Sequence, residues 1–536
     1  MSALSAVFVG SDTLLLQCIE TWTERGHEVA AVATDAQKVR DHCAVNGIRC
    51  LPAGGPLTAQ LDAVECDYLF SVTWLQLLPE TVIRMPRVAA LNFHDGPLPR
   101  YAGLNATCWA MLNGEAEHAV TWHVIEPAAD AGYIAVQMAF PIEPEDTAFT
   151  LNARCFDYGL RSFAELCNQL QAGAVERRPQ DLTQRSYFGR DARPPALAVL
   201  DFTAPVADAL RLVRALDHGA YANPLAIAKV RADSGFFLPG AVAEHPPSGR
   251  APGTVVACDE SGLVVACADA DLQIRSPRCL RGLPMDLEQL ARIGVVSGAV
   301  LPASEPTVRE SWSRLGAAAA PGEHAWLRAL RGSAPLAVAG SQPSSGEAEP
   351  AELPIDVVGS DARRTAALCV AFLLRDAGVH AADVGFVDAA ALGVVDGAGD
   401  LAVECPPVRF QTQAGDSVEQ ALSAITATFD EVAERGPLLR ELVARRSDVL
   451  APETALDPHL RVTLAAALAV SAGSVTIAVG ADGSARLRFD SAAFSSAVAE
   501  ALVARLALFV RAATREPTRP LAAVPVLDEV ELDRLL

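Results

Sequence analysis

The first ninety or so residues alternate fully apolar runs with amphipathic stretches, and this constrains the fold more than any single motif. Ser5 to Val9 reads as a strand, Leu14 to Arg25 as a helix, His27 to Val32 as a strand and Lys38 to Asn46 as a helix. Tyr68 to Ser71 and Val88 to Phe93 are two further buried strands. Strands that are apolar on both faces need cover on both faces, so the expected architecture is an open, mostly parallel α/β sheet with helices above and below. Sheets of this kind hold ligands beyond the carboxyl ends of their strands. The residues at such an end are therefore the first candidates for a site.

At the end of the Val88–Phe93 run stands Leu91-Asn92-Phe93-His94-Asp95-Gly96-Pro97-Leu98-Pro99-Arg100-Tyr101-Ala102-Gly103, and about 35 residues beyond His94 comes Asp130-Ala131-Gly132. Asn92 and His94 are two apart, so in strand geometry they share a face. His94 can accept a proton near neutrality. Asn92 can donate an amide hydrogen bond to a developing oxyanion, and Asp130 can orient or polarise His94. That trio suits acyl transfer to an amine. Each member also has a structural reading: His94 as a hydrogen-bonder beside a strand, Asp130 as a turn cap next to Gly132. Asp95 is either a turn residue or a contact for a substrate amine, and the turn is slightly favoured.

Other candidates are weaker. Gly10-Ser11-Asp12 follows the first strand but lacks the glycine spacing of a dinucleotide loop. His118 and His123 flank an expected strand and fit a structural role at least as well as a catalytic one. Trp74, Leu75 and Leu78 are either core or the lining of an aromatic pocket. No zinc motif, P-loop or nucleophile elbow is present.

With 536 residues the chain is too long for one core, and two to four domains are expected. After a Pro-containing linker near 191–204, Ala207 to Leu216 reads as a short helix. Short β-like runs from Gly253 onward (Thr254–Val256, Gly262–Val265, Leu272–Ile274) suggest a small β-barrel. Residues 333–352 have a linker composition, and Thr307 to Arg331 reads as its helical extension. Beyond it lies a second α/β unit. Its helices are expected at Arg363–Leu374, Val418–Glu434 and Ala492–Ala512, and its hairpin at Val475–Val479 with Ala485–Phe489. The end, Leu521 to Leu536, is expected to be lightly structured.

The formal net charge is −22, which argues against nucleic acid and anionic membranes as partners. The apolar stretch 449–473 is broken by Glu453, Asp457 and Arg461. The N-terminus lacks a basic n-region, and twelve scattered cysteines fit free thiols in a reducing cytoplasm.

The segment Leu91–Gly103, with Trp109-Ala110-Met111-Leu112-Asn113-Gly114-Glu115, Val120-Thr121-Trp122-His123 and Asp130-Ala131-Gly132-Tyr133-Ile134, resembles the 10-formyltetrahydrofolate-dependent formyltransferases over about residues 5–180. The resemblance implies Asn92, His94 and Asp130 as the catalytic trio. It also implies a folate pocket from Trp74, Leu75 and Leu78, with backbone around Val88 to Leu91 and Ala128 to Gly132, and no metal. Asp201-Phe202-Thr203-Ala204-Pro205, Arg211–Leu216 and Tyr221-Ala222-Asn223-Pro224 look like the C-terminal domain of methionyl-tRNA formyltransferase.

Two departures stand out. The family's usual Pro-Ser after the histidine is Asp95-Gly96, and the Tyr-Arg-Gly of the tRNA enzymes is Tyr101-Ala102-Gly103. This version looks like formyltransferase domains fused to nonribosomal peptide synthetases. Pro406-Pro407-Val408-Arg409 and the stretch from Pro520 to Asp528 resemble the second half of a condensation domain without its His-His motif. The implied organisation is a catalytic domain over 1–190, a small β domain over 200–305, a linker over 306–352 and a noncatalytic half-condensation-like domain over 353–536. The implied partners are adenylation and carrier-protein domains, and the ending at Leu535-Leu536 is what a chain cut before an adenylation domain would show. Hydrolysis of the folate donor and a noncatalytic scaffold role remain open alternatives.

Overall fold

The computed structural model describes residues 3–528 apart from 63, 174, 176, 338–346, 358, 360 and 396, together with 533. The chain divides into two compact units, residues 1–192 with 205–221, and residues 193–204 with 222–536.

The first unit runs β1 (Ser5–Gly10), α1 (Asp12–Glu24), β2 (Glu28–Ala33), α2 (Gln37–Val45), β3 (Cys50–Leu51), α3 (Leu57–Leu61), β4 (Tyr68–Val72), α4 (Glu80–Ile83) and β5 (Ala89–His94). It continues with β6 (Ala102–Gly103), α5 (Ala106–Leu112), β7 (Glu117–Val124), β8 (Ile134–Pro141), α6 (Ala148–Ala172), β9 (Tyr187–Phe188) and α7 (Val206–Ala215). The strands expected from the sequence fall within a residue or two of these. The main sheet has the order β3-β2-β1-β4-β5-β7-β8. It is parallel up to β5 and antiparallel through β7 and β8.

Side-chain alternation explains why both faces are apolar. Phe8, Phe70, Phe93 and Trp122 point to one face, where they meet Trp22 of α1 and Phe163 of α6. Phe70 lies 5.2 Å from both Phe8 and Phe163, ring centre to ring centre. Val7, Val9, Ala31, Leu69 and Ala90 point to the other face and are covered by α3 and α4. Each aromatic buried in this way contributes about 1.5–3 kcal/mol, so the sheet is held mainly by this two-sided cover. Thr147 caps α6 with a reciprocal Thr147–Thr150 box, which fixes where the long helix begins behind the sheet.

In the second unit, Ala241–His245, Val255–Asp259, Gly262–Ala266 and Asp271–Arg275 form an antiparallel sheet, with a separate two-stranded ribbon at Val230–Ala232 and Gly235–Phe237. Among the described residues the two edge strands, Ala241–His245 and Val255–Asp259, do not pair with each other, so the expected small β-barrel is an open four-stranded sheet. The stretch 306–331 is two helices, Pro306–Ala319 and Glu323–Leu330, with Trp312 and Trp326 buried. They break at Pro321, whose ring nitrogen cannot donate. Of the expected linker 333–352, residues 338–346 lie outside the described residues, and Pro350–Ile355 is already a strand. That strand edges a six-stranded mixed sheet containing Ala381–Asp388, Pro407–Gln411, Leu460–Leu464 and the Val475–Val479/Ala485–Asp490 hairpin. The helix expected from Ala492 begins at Ser496, because the Ser495 side chain accepts the Val498 N–H and ends the preceding turn. Of the expected loose C-terminal stretch, 529–532 and 534–536 lie outside the described residues.

A chain of buried charges ties this unit together. Lys229 Nζ is 2.5 Å from Glu441, with both side chains 1% exposed. Glu441 reaches Arg445 at 3.5 Å, Arg445 pairs with Glu323, and Glu323 pairs with Arg193 at 2.9 Å. Burial pushes the Lys229 amine below its ordinary value, against the pull of Glu441.

Candidate active site

β5 sits between two different neighbours, and this builds the site. On one side β4 runs parallel, placing Ser71 beside Asn92. On the other side β7 runs antiparallel, placing His123 opposite Asn92 and Thr121 opposite His94. Directly opposed residues of antiparallel strands share a face. Phe93 and Trp122 therefore go into the core, while Asn92, His94, Thr121 and His123 emerge together on the other face. Asp130 lies in the β7–β8 loop with a left-handed backbone, φ 55°. Asp tolerates this conformation better than most residues.

The polar groups form one connected set. Asn92 Nδ2 lies 3.2 Å from His123 Nε2, which is 3.4 Å from Asp130 Oδ1. Asp130 Oδ2 accepts the Gly103 N–H at 2.9 Å and lies 3.9 Å from His94 Nδ1. His94 is buried, and its Nε2 donates to the Tyr101 carbonyl at 2.8 Å. Because a carbonyl can only accept, the neutral ring carries its hydrogen on Nε2 and its lone pair on Nδ1. The basic nitrogen thus faces Asp130 and, also at 3.9 Å, Asp95 Oδ1. His123 Nδ1 donates to the Val124 carbonyl at 3.0 Å, which leaves Nε2 to accept from Asn92. Burial alone would raise the Asp130 carboxyl. Protonation of His94 and His123 puts positive charge beside it and a hydrogen on His123 Nε2 that Asp130 can accept; with the Gly103 amide this overcomes the burial and holds Asp130 well below the usual carboxylate range.

The surrounding loops are pinned. Gln180 Nε2 donates to the Asp130 and Gly132 carbonyls at 3.0 and 2.6 Å, and Arg185 donates to Ala129 at 2.8 Å. β6 pairs with β9, so residues 177–188 strap both the Asp130 loop and the segment after His94. A Cβ at Gly132 would fall 1.9 Å from the Val124 carbonyl oxygen, so only glycine lets the loop close there. A Cβ at Gly96 would fall 2.7 Å from His94 Nε2, so this glycine makes room for the ring's bond to Tyr101.

Asn92, His94 and Asp130 are thus brought together. The expected folate contacts are scattered. Trp74 and Leu78 lie in the loop beyond β4, half-buried against the core face that carries Val9, Leu69 and Ala90, and among the described residues the Trp74 indole N–H has no hydrogen-bond partner. Leu75, in the same loop, is 77% exposed. Ala128 is exposed and Gly132 buried, both in the Asp130 loop. Leu91 points its side chain into the core and has only backbone to offer. Val88 precedes β5 at its amino end, six residues and about 20 Å of strand from His94. His123, which sequence reasoning read as structural at least as readily as catalytic, joins this polar set. Its signal lies in pairing β7 against β5, a non-local relation. Among the described residues no cluster of His, Cys, Asp or Glu is placed to hold a metal ion.

Comparison with known proteins finds likenesses for two stretches of the chain. Residues 53–165 match the family described as Formyl transferase, and residues 194–293 the one described as Formyl transferase, C-terminal domain. Among solved structures, the chain is similar to a HypX variant from Aquifex aeolicus (19% identity, TM-score 0.40, covering 57% of this chain and 52% of that one). It is similar to WlaRD, a sugar 3N-formyl transferase solved with dTDP and 5-N-formyl-THF (17% identity, TM-score 0.42, 51% and 98%). It is also similar to an N-formyltransferase from Helicobacter canadensis in complex with folinic acid and dTDP-3-aminofucose (17% identity, TM-score 0.42, 51% and 99%). The chain spans about half the length of the HypX protein. The two family matches thus cover two separate stretches of this chain, one resembling a formyl transferase and the other its C-terminal domain.

Proposed function

We propose that this chain transfers a formyl group from 10-formyltetrahydrofolate to the amine of an amino acid or related intermediate. The observation that carries the proposal is the convergence of Asn92, His94, His123 and Asp130 at the carboxyl end of β5. The unpartnered Trp74 N–H and the exposed Leu75 beside it fit a flat heteroaromatic ring, with Leu78 and the 128–132 loop as its borders. When bound there, the folate supplies the nitrogen-linked formyl group. His94 Nδ1 takes a proton from the acceptor amine, and Asp130 stabilises the imidazolium. Asn92, oriented by His123, keeps a second amide hydrogen free for the oxygen on which negative charge grows. His94 then returns its proton to the departing nitrogen.

Peptide-synthetase chemistry is the context we favour. Three features support it: the His94-Asp95-Gly96 and Tyr101-Ala102-Gly103-Leu104-Asn105 version of the loop, the net charge of −22, and a second α/β sheet after the formyl transferase domains. In this reading the 353–536 region is a noncatalytic docking or spacing element of half-condensation type, and adenylation and carrier-protein domains present the amine.

Titration with a stable 10-formyltetrahydrofolate analogue tests the core of the proposal, followed by mass detection of formyl products on a panel of amino acid methyl esters and aminoacyl carriers. Micromolar analogue binding, with formylation lost in His94→Ala and Asn92→Ala, is expected. No binding by the native chain would overturn the transferase reading.

A further inference from the structure

The Asp95 carboxylate has no assigned role. Its main chain is held firmly: His118 Nε2 donates to the Asp95 carbonyl at 2.7 Å, and Thr121 Oγ1 donates to the next carbonyl, Gly96, at 2.7 Å. Both clamps come from β7, so the turn after His94 is fixed to the strand that also supplies His123. Burial pushes His118 below its ordinary value, and a neutral ring does not compete for the Asp95 charge.

The side chain is left open. It is 31% exposed, and among the described residues no hydrogen bond reaches its carboxylate. His94 Nδ1 stands 3.9 Å from it, beyond hydrogen-bond range, and its charge is also felt by His118 and by the buried thiols of Cys108 and Cys155. Asp130 stands at the same 3.9 Å from the same nitrogen but is already bonded to Gly103. A third atom can sit at about 2.9 Å from both Asp95 Oδ1 and His94 Nδ1, because two such bonds span 3.9 Å as an open triangle. The basic nitrogen and a partly exposed carboxylate thus converge on one position.

We propose that Asp95 is the acceptor-binding residue, which receives the incoming primary amine as its ammonium ion at the position between its carboxylate and His94 Nδ1. This deepens the formyltransferase reading and rests on it: the substrate class becomes cationic primary amines. One N–H bond of the ammonium breaks and a bond from that proton to His94 Nδ1 forms, the proton that His94 later gives to the departing nitrogen; a second N–H proton, lost after the nucleophile has attacked, leaves to water, so one proton is released per turnover. The electron pair stays on the amine nitrogen, which becomes the nucleophile. The imidazolium left behind is flanked by two carboxylates, Asp95 and Asp130.

The test compares the native chain with Asp95→Asn and Asp95→Glu, using amino acid methyl esters as acceptors. Three quantities are read: the affinity for a 10-formyltetrahydrofolate analogue, the melting temperature, and KM and kcat for the amine. Asp95→Asn is expected to raise the amine KM at least tenfold, more than it lowers kcat, with analogue affinity and melting temperature unchanged. Asp95→Glu is expected to recover part of the loss. An unchanged amine KM in Asp95→Asn, with analogue binding intact, overturns the assignment and leaves the formyltransferase reading standing. Absence of analogue binding by the native chain overturns both.

Discussion

Replacing Glu441 by Gln tests how the second unit is held. Gln keeps the shape of Glu441 but removes the charge facing Lys229, whose side chain is 1% exposed and whose Nζ otherwise meets only the Leu197 and Ile227 carbonyls. A solvated pair would contribute about 0–1 kcal/mol. Removing one partner of a buried pair leaves an uncompensated charge and costs about 3–5 kcal/mol. The burial here selects the second figure, and Arg445 is cushioned because it keeps Glu323. Hydrogen exchange in a denaturant series, followed on peptides covering 223–232 and 436–450, reads the opening of this unit separately from the first. Adding Lys229→Met removes the stranded charge and should restore about 1–3 kcal/mol, the size of coupling expected for contacting residues. A single-variant loss below about 1 kcal/mol, or a double variant no better than the single, would refute the idea that the cluster is a desolvated ionic chain.

Three further outcomes are expected. His123→Ala frees Asn92 and should lower kcat/KM by about 10–100-fold, the usual effect of losing an orienting partner, with amine KM little changed; steady-state kinetics on the best acceptor checks it. Asp130→Asn should remove His94's buried counter-charge and lower kcat by about 10²–10⁴-fold. Because the Asp130 carboxyl titrates below its reference 3.8, the unfolded chain takes up that proton first. Its stabilising contribution is therefore complete above the ordinary carboxylate range and fades as pH falls below about 4, so acid unfolding curves of the native chain should be steeper than those of Asp130→Asn. Gly132→Ala drives a Cβ into the Val124 carbonyl and should cost about 1–3 kcal/mol in thermal unfolding while weakening folate-analogue binding.

What was legible in the sequence follows from the range over which each signal acts. Strands β1, β2, β4 and β5 could be read because their apolar periods are local, and the hairpin at 475–490 because its turn residues are adjacent to its strands. Asn92 and His94 were readable for the same reason, since their shared face follows from a spacing of two. His123 was not, because its role depends on β7 lying antiparallel to β5. The chain Lys229–Glu441–Arg445–Glu323 was equally hidden, since its members lie far apart in sequence and each alone looks like a surface charge.

The strap formed by residues 177–188 gives the site a history as well as a shape. Asp130 holds its left-handed backbone between the Gln180 and Arg185 side chains, and Gly103 meets Phe188 across β6 and β9. During synthesis, β5, β7 and the Asp130 loop all leave the ribosome before these closing partners exist. A released chain ending at residue 172 would carry every strand of the main sheet and the long helix, yet it would lack the partners that hold the Asp130 loop and Gly103. Reactivity therefore arrives late, after the sheet and the helices that cover it, when the return of a short distal segment fastens loops that have been waiting for it.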